Sequence, residues 1–201
     1  ELLFPESTLT REDIEARYPE RNLPEGAFVT RIGPSPTGFV HLGNLYNAVI
    51  AERIAHQSGG VFYLRIEDTD SKREVEGAVE TLINAMAYFG VTFDEGATAD
   101  GDNGKYGPYR QRQRKEIYHV FAKELVQRGP CFLTAEEIDA IREQQTANKE
   151  NPGIYGKYAE KSRSLTLEQI SENIKAGKEW VLRFKGTETD EHITVEDAIR
   201  G

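Results

Sequence analysis

Apolar positions along this chain switch between two spacings. A short apolar run, Ala27-Phe28-Val29, leads into a Gly/Pro-rich turn over 31–44. Beyond it, apolar or aromatic residues recur at Leu42, Leu45, Tyr46, Val49, Ile50 and Ile54. Steps of three and four residues predict a helix from about Leu42 to Ser58, stopped by Gly59-Gly60 in the manner of a C-cap. Val61-Phe-Tyr-Leu-Arg-Ile66 is almost wholly apolar, the pattern of a buried parallel strand. Strand, turn, helix and strand of these lengths predict a right-handed crossover and the start of a doubly wound sheet. Ligands of such sheets sit beyond the carboxyl ends of the strands, where both the 31–44 turn and Glu67-Asp-Thr-Asp70 fall.

Ser71-Lys-Arg-Glu74 has the form of a capping box. It predicts a helix carrying Val75, Val79, Leu82, Ile83 and Met86 on one face and ending at Gly90. Asp68 and Asp70 then fall near that helix's positive end, where carboxylates are stabilising. Glu67 stands at the strand end and points into the crevice. Residues 94–108, with four glycines, three aspartates and Pro108, read as a surface loop. Ile117, Val120, Phe121 and Leu125 mark another amphipathic helix, ended by Gly129-Pro130. Two capped helices with hydrophobic staples follow, at Thr134/Glu137 with Leu133 and Ile138, and at Thr166/Gln169 with Leu165 and Ile170. A polar stretch from Gln144 to Ser164 separates them. Trp180–Phe184 and Ile193–Val195 read as strands. Residues 1–26 form an extension whose Thr10 and Asp13 open a short helix, a segment for packing against the main domain.

Composition narrows the class. The 201 residues, 38% hydrophobic and 29% charged, suffice for one large domain, or one domain with an insertion. There is no basic N-terminus followed by an apolar stretch and no run long enough to span a membrane, so a cytoplasmic protein is expected. The single cysteine, Cys131, excludes an internal disulfide framework and a multi-cysteine zinc site. A net charge of −9 argues against a general nucleic-acid binder. The charge is uneven, however. Lys105, Arg110, Arg112, Arg114 and Lys115 form a basic run without an acid, equally readable as a solvated helix face or an RNA contact.

The 31–44 turn suits phosphate binding. Its small residues let a ligand approach the backbone, and the free N–H groups of the helix start face an anion. Pro34 and Pro36 stiffen it, and His41 stands at the helix mouth with a hydrogen bond to offer. The alternative is a tight connection with His41 as a cap. No Ser-His-Asp or Cys-His arrangement is present, and four histidines are too few and scattered for a metal cluster.

As a string, R-x-G-P-S-P-T-G-x-x-H-x-G over 31–43 resembles the first signature of the glutamyl and glutaminyl branch of class I aminoacyl-tRNA synthetases. His41-Leu42-Gly43-Asn44 stands where that class carries its "HIGH" tetrapeptide, with Asn44 in place of the final histidine. The match continues in Leu64-Arg-Ile-Glu-Asp-Thr-Asp70 and Tyr109-Arg-Gln111.

The resemblance implies an α/β fold. Residues 27–128 would form the first half of a Rossmann-like parallel-sheet domain, after the 1–26 extension. Residues 129–201 would form part of an inserted α+β region that binds the tRNA acceptor end. It implies ATP-dependent ligation of L-glutamate to tRNA(Glu) through a glutamyl-adenylate, in protein biosynthesis. His41 and the backbone at Gly43 would stabilise charge on the reacting phosphate. Arg31 would fork onto a glutamate carboxylate, Glu67 would hold the ammonium, and Ser35 and Gly33 would complete the pocket. Ser35, Thr37, Gly38, His41, Gly43 and Asn44 would contact ATP, and Arg110, Arg112 and Arg114 the tRNA. The residue-level alternatives are an Arg31 salt bridge at the sheet edge and Glu67 as a helix cap.

Mg²⁺ would arrive with ATP, and no zinc and no membrane are expected. With no Lys-Met-Ser-Lys-Ser string in it, the chain reads as an N-terminal fragment, inactive alone, of an enzyme monomeric at full length. Rival readings are the paralogue that glutamylates queuosine in tRNA(Asp), a glutaminyl-tRNA synthetase, a small-molecule nucleotidylyltransferase, and a non-catalytic tRNA-binding paralogue. The extension and the long insertion favour the full synthetase. A nucleotidylyltransferase would leave the second and third strings unexplained.

Overall fold

The computed structural model describes residues 3–38, 40–70, 73–127, 132–150, 160, 163–183, 194 and 196. Contacts group the chain into two compact units, one of Glu6–Phe121, the other of Ala122–Gly201 with Glu1–Pro5. The division falls at Phe121/Ala122, where the sequence suggests 128/129, and residues 6–26 group with the sheet.

In the sheet unit, helix α1 (Arg11–Arg17) opens with a reciprocal Thr10–Asp13 capping box. Its Ile14 packs with Ile117 and Val120, so the N-terminal segment contributes to this unit's core. Strands β1 (Val29–Ile32) and β2 (Val61–Leu64) run parallel, Val29 opposite Val61 and Ile32 opposite Leu64. Helix α2 (Leu42–Gln57) connects them and stops at Gly59, whose φ of +73° a right-handed helix cannot continue through. Ala48 and Ala55 of α2 are wholly buried, and their small side chains let the helix lie close on β1 and β2.

Phe28 and Val29 are exposed, and among the described strands β1 pairs with β2 alone. One expectation is corrected on the other side of β2, where the span 94–108 is more than a loop. It holds β3 (Glu95–Ala97), parallel to β2, and β4 (Asp102–Asn103), antiparallel to β3. Strands of three and two residues are too short to show a period.

The next helix, α3 (Ala78–Tyr88), begins later than Ser71-Lys-Arg-Glu74 suggests. Ser71 and Lys72 lie outside the described residues. Gly77 precedes α3 with φ +75°, so a right-handed turn cannot run through from Glu74. Val75 therefore stands outside the helix, exposed, with its N–H donated to the Pro36 carbonyl at 2.8 Å. Farther on the pattern holds. Leu82 and Met86 are buried, and Gly90, φ +75°, follows the helix end. A 3₁₀ turn, Gln111–Arg114, leads into α4 (Lys115–Gln127), which runs on past the division between the units.

The second unit is a two-stranded antiparallel ribbon with helices. Strand β5 (Phe132–Thr134) pairs with β6 (Trp180–Leu182), Phe132 opposite Leu182. Helices α5 (Ala135–Ala147) and α6 (Leu167–Lys175) both open with the expected capping boxes. Phe132 stacks on Trp180 at 5.3 Å, and Phe4 meets the same indole edge-on at 6.1 Å. Cys131, Gly129-Pro130, Phe184, Ile193, Val195 and residues 151–159 lie outside the described residues. No described helix is long and apolar enough to cross a membrane.

Candidate active site

Beyond β1 and β2 the two chains continue side by side. Arg65 N–H donates to the Ile32 carbonyl at 3.1 Å, and Glu67 N–H to that of Pro34 at 3.0 Å. The 33–41 loop and the 65–70 segment thus leave the same carboxyl edge, as expected. Arg31 lies within β1, one residue before its end, and its side chain passes over Gly33. A Cβ at position 33 would overlap Arg31 Nη1 and come within 3.1 Å of Glu67 Oε1. Glycine is needed there for close approach, so that Arg31 Nη1 can stand 3.2 Å from Glu67 Oε1. Arg65 reaches the same oxygen with Nη2 at 3.0 Å and Nε at 3.2 Å. Among the described α-helices Glu67 caps none, since α3 starts only at Ala78.

Next to this cluster the 33–41 loop walls a cavity of about 300 Å³. Gly33, Ser35, Thr37, Gly38, His41 and Asn44 line it, over a floor of Ile66, Val79 and Leu82. Among described residues, Arg31, Glu67 and Gly43 are not in its wall. Thr37 N–H turns back to the Ser35 carbonyl at 2.8 Å, which tightens the loop around buried Pro36.

His41 is the residue before α2, in extended conformation, and its N–H donates to Asn44 Oδ1 at 3.2 Å. The asparagine that replaces the second histidine of the motif thus closes the helix cap. Gly43 leaves room for the imidazole, since a Cβ there would stand 3.0 Å from His41 Nδ1. The first turn of α2 carries no acid, whereas α1, α5 and α6 each place Asp or Glu in theirs. The positive end of this 16-residue helix is therefore not offset by its own carboxylates, and it suits an external anion.

The three arginines read as RNA contacts have partners inside the protein. Arg110 donates to the carbonyls of Gly101 and Thr98 at 2.8 and 2.9 Å, and Arg114 to those of Pro108 and Tyr106 at 2.8 and 3.2 Å. Arg112 reaches the Asp68 carbonyl at 2.6 Å and Glu74 at 3.1 Å. Arg110 and Arg114 hold the 98–108 segment, and Arg112, while half-exposed, joins Asp68 to Glu74. Asp68, buried, accepts the Arg112 N–H, while Asp70 pairs with Arg73 at 2.6 Å.

Sequence reasoning missed Arg65, Arg21 and Glu95. Alternation along Tyr63, Arg65 and Glu67 was the available signal for Arg65. Arg21 and Glu95 had none, being far apart in sequence. Arg21 forks onto Glu95 at 2.5 and 2.8 Å, with its guanidinium 3.7 Å from the Tyr106 ring centroid. The bond to Arg21, against the opposing effect of burial, holds the Glu95 carboxyl below its ordinary value of 4.5. Burial, then the bond to Glu95, pushes the Tyr109 hydroxyl up. The Tyr109 carbonyl accepts Ile66 N–H at 2.9 Å, which carries this network to the residue before Glu67.

A parallel β–α–β unit, with its Gly/Pro loop feeding a helix start and a charged cluster on the same edge, defines a Rossmann-like α/β domain. Residues 27–201 match the family tRNA synthetases class I (E and Q), catalytic domain, and the chain belongs to that family. Similar proteins include the glutamate–tRNA ligase of Acetivibrio thermocellus, 51% identical over 208 residues, covering 100% of this chain and 38% of that protein. The Clostridium perfringens glutamate–tRNA ligase is 49% identical over 205 residues, with 100% and 37% covered. Among solved structures, the glutamate-tRNA synthetase of Elizabethkingia anophelis matches with a TM-score of 0.72 at 32% identity, over 87% of this chain and 36% of that one. The chain thus spans well under half the length of these relatives.

Proposed function

We propose that this chain supplies the first half of the catalytic domain of a glutamate–tRNA ligase, which joins L-glutamate to tRNA(Glu) at the expense of ATP in protein biosynthesis. The observation that carries the reading is the Arg31–Glu67 pair, set across Gly33 beside the start of α2. The names of the similar proteins support the same activity.

In this reading the amino-acid carboxylate attacks the α-phosphorus of ATP, and pyrophosphate leaves. The glutamyl group then passes to a ribose hydroxyl at the tRNA acceptor end. Negative charge builds around phosphorus in the first step, so catalysis consists of placement and charge stabilisation. His41 and the first N–H groups of α2, with Gly43 among them, stabilise that charge. Ser35, Thr37, Gly38 and Asn44 line the phosphate path. Arg31 forks onto a substrate carboxylate, which a lysine would not reproduce. Glu67 takes the ammonium, and Ser35 and the Gly33 backbone close the pocket. No carboxylate is among the described residues lining the cavity. Mg²⁺ would therefore come on the triphosphate and neutralise part of its charge, and no zinc takes part. The enzyme works in the cytoplasm as a monomer. Exposed Lys105 and Lys115, with half-exposed Arg112, supply the charge that meets the tRNA.

Pyrophosphate exchange by the full-length protein tests this. Glutamate-dependent exchange only with tRNA(Glu) present is expected, because the acceptor end completes the pocket. Vigorous exchange without tRNA would favour the queuosine-modifying paralogue. Exchange driven by glutamine would point to the glutaminyl enzyme.

A further inference from the structure

Glu67 Oε1 is met by three nitrogens belonging to two arginines, and the two contacts differ in kind. Arg65 brings two donors of one planar fork, at 3.0 and 3.2 Å, from a side chain 19% exposed. It sits two residues from Glu67 on the same side of an extended segment. Arg31 brings one donor at 3.2 Å, from a side chain 40% exposed on the neighbouring strand. A two-donor contact between residues fixed on one backbone loses little entropy when it is kept. A single, exposed contact is exchanged readily.

We propose that Arg65 is the positioning residue of the amino-acid pocket, holding Glu67 in place so that Arg31 is released to the substrate's carboxylate. The inference rests on the reading of this site as a glutamate pocket. An arriving carboxylate competes with Glu67 for Arg31. Without Arg65, that exchange would leave the partly buried Glu67 carboxylate held by the incoming ammonium alone, with no protein cation to keep it in place before the substrate is seated. With Arg65 in place, Glu67 keeps a partner and its orientation toward the ammonium. Charge fits the same scheme. Two guanidinium groups and one carboxylate leave the cluster one positive charge in excess, which an acidic amino acid neutralises and its amide does not. Arg65 therefore also favours glutamate over glutamine.

The test is steady-state activation by the full-length enzyme carrying Arg65→Met or Arg65→Lys. Loss of a charge-assisted two-donor contact should raise the KM for glutamate roughly ten- to a hundredfold. Turnover should stay within about threefold, since the contact is not confined to the transition state. The lysine variant keeps the charge but lacks the fork, so it should not restore KM. Preference for glutamate over glutamine should fall in the methionine variant. A normally active wild type whose Arg65→Met variant keeps its KM overturns this inference alone. A wild type that activates no glutamate overturns the pocket reading and the inference with it. If neither variant folds, a structure of the wild type with glutamate decides. Arg65 still on Glu67, with Arg31 on the substrate, supports the proposal. Arg31 remaining on Glu67, or Arg65 moved onto the substrate, overturns it.

Discussion

Asp68 accepts the backbone N–H of Arg112 at 2.8 Å, and the Arg112 guanidinium returns to the Asp68 carbonyl at 2.6 Å. This reciprocal clamp changes what a charge reversal at Arg112 would report. Substituting it breaks a structural contact as well as removing a cation. Asp68→Ala should destabilise the protein by about 1–3 kcal/mol, because a part-buried N–H loses its acceptor. A urea unfolding midpoint measures this, and an unchanged midpoint would mean that water replaces the carboxylate without loss.

Exposed Lys105 and Lys115 are the cleaner probes of RNA binding. Lys105→Glu and Lys115→Glu should leave the unfolding midpoint unchanged. Each should lower the slope of log affinity for tRNA against log salt by about one. A full salt slope in both variants would remove these lysines from the interface.

Gly33→Ala is expected to act through Arg31. The added Cβ would overlap Nη1, so the guanidinium must swing away from Glu67. Position 33 has no positive φ, so the backbone tolerates alanine. The expected result is a raised KM for glutamate with little change in stability, read from activation kinetics and thermal unfolding on the same preparation. A KM equal to wild type would show that the arginine reaches its substrate by another path.

His41→Ala should slow adenylate formation by about 2.7–4 kcal/mol, the usual loss for one donor aimed at developing charge. Glutamate affinity should hold, since His41 lines the cavity while Arg31 and Glu67 lie outside its wall. Single-turnover activation separates the two. An unchanged rate would reduce His41 to its backbone role before α2.

The Arg21–Glu95 pair predicts a pH-dependent contribution with a definite sign. Glu95 is held below 4.5 in the folded protein, chiefly by Arg21. A carboxylate with a depressed folded pKa contributes stability above its unfolded value, and that contribution disappears as pH falls through the folded value. Arg21→Met should therefore cost stability at pH 7, and the difference from wild type should shrink once the pH drops well below 4.5. Denaturant unfolding at several pH values checks this. A cost independent of pH would assign Arg21's contribution to its stacking on Tyr106.

Elements with strong local signals were legible in the chain alone. The 42–57 helix, the strand at 61–64 (expected to run to 66) and the capping boxes at Thr134 and Thr166 follow from spacing and cap chemistry, which act within a few residues. The loop at 33–41 and the place of His41 just before α2 were legible because small residues and a helix start stand together in sequence. Tertiary structure decided the rest. Whether Glu74 opens a helix depended on Gly77 turning left-handed three residues later. Whether Arg110 and Arg114 faced solvent depended on carbonyls of a segment that folds back toward them. The two short strands at 95–97 and 102–103 exist because β2 and its neighbours supply the hydrogen bonds, and their own residues carry no pattern. Arg21 and Glu95 are recognisable only from their partners, whereas Arg65 had the alternation with Tyr63 and Glu67 to mark it. Salt bridges and hydrogen bonds between distant residues have no periodicity, so composition and spacing supply the charges while the packed fold chooses which of them meet.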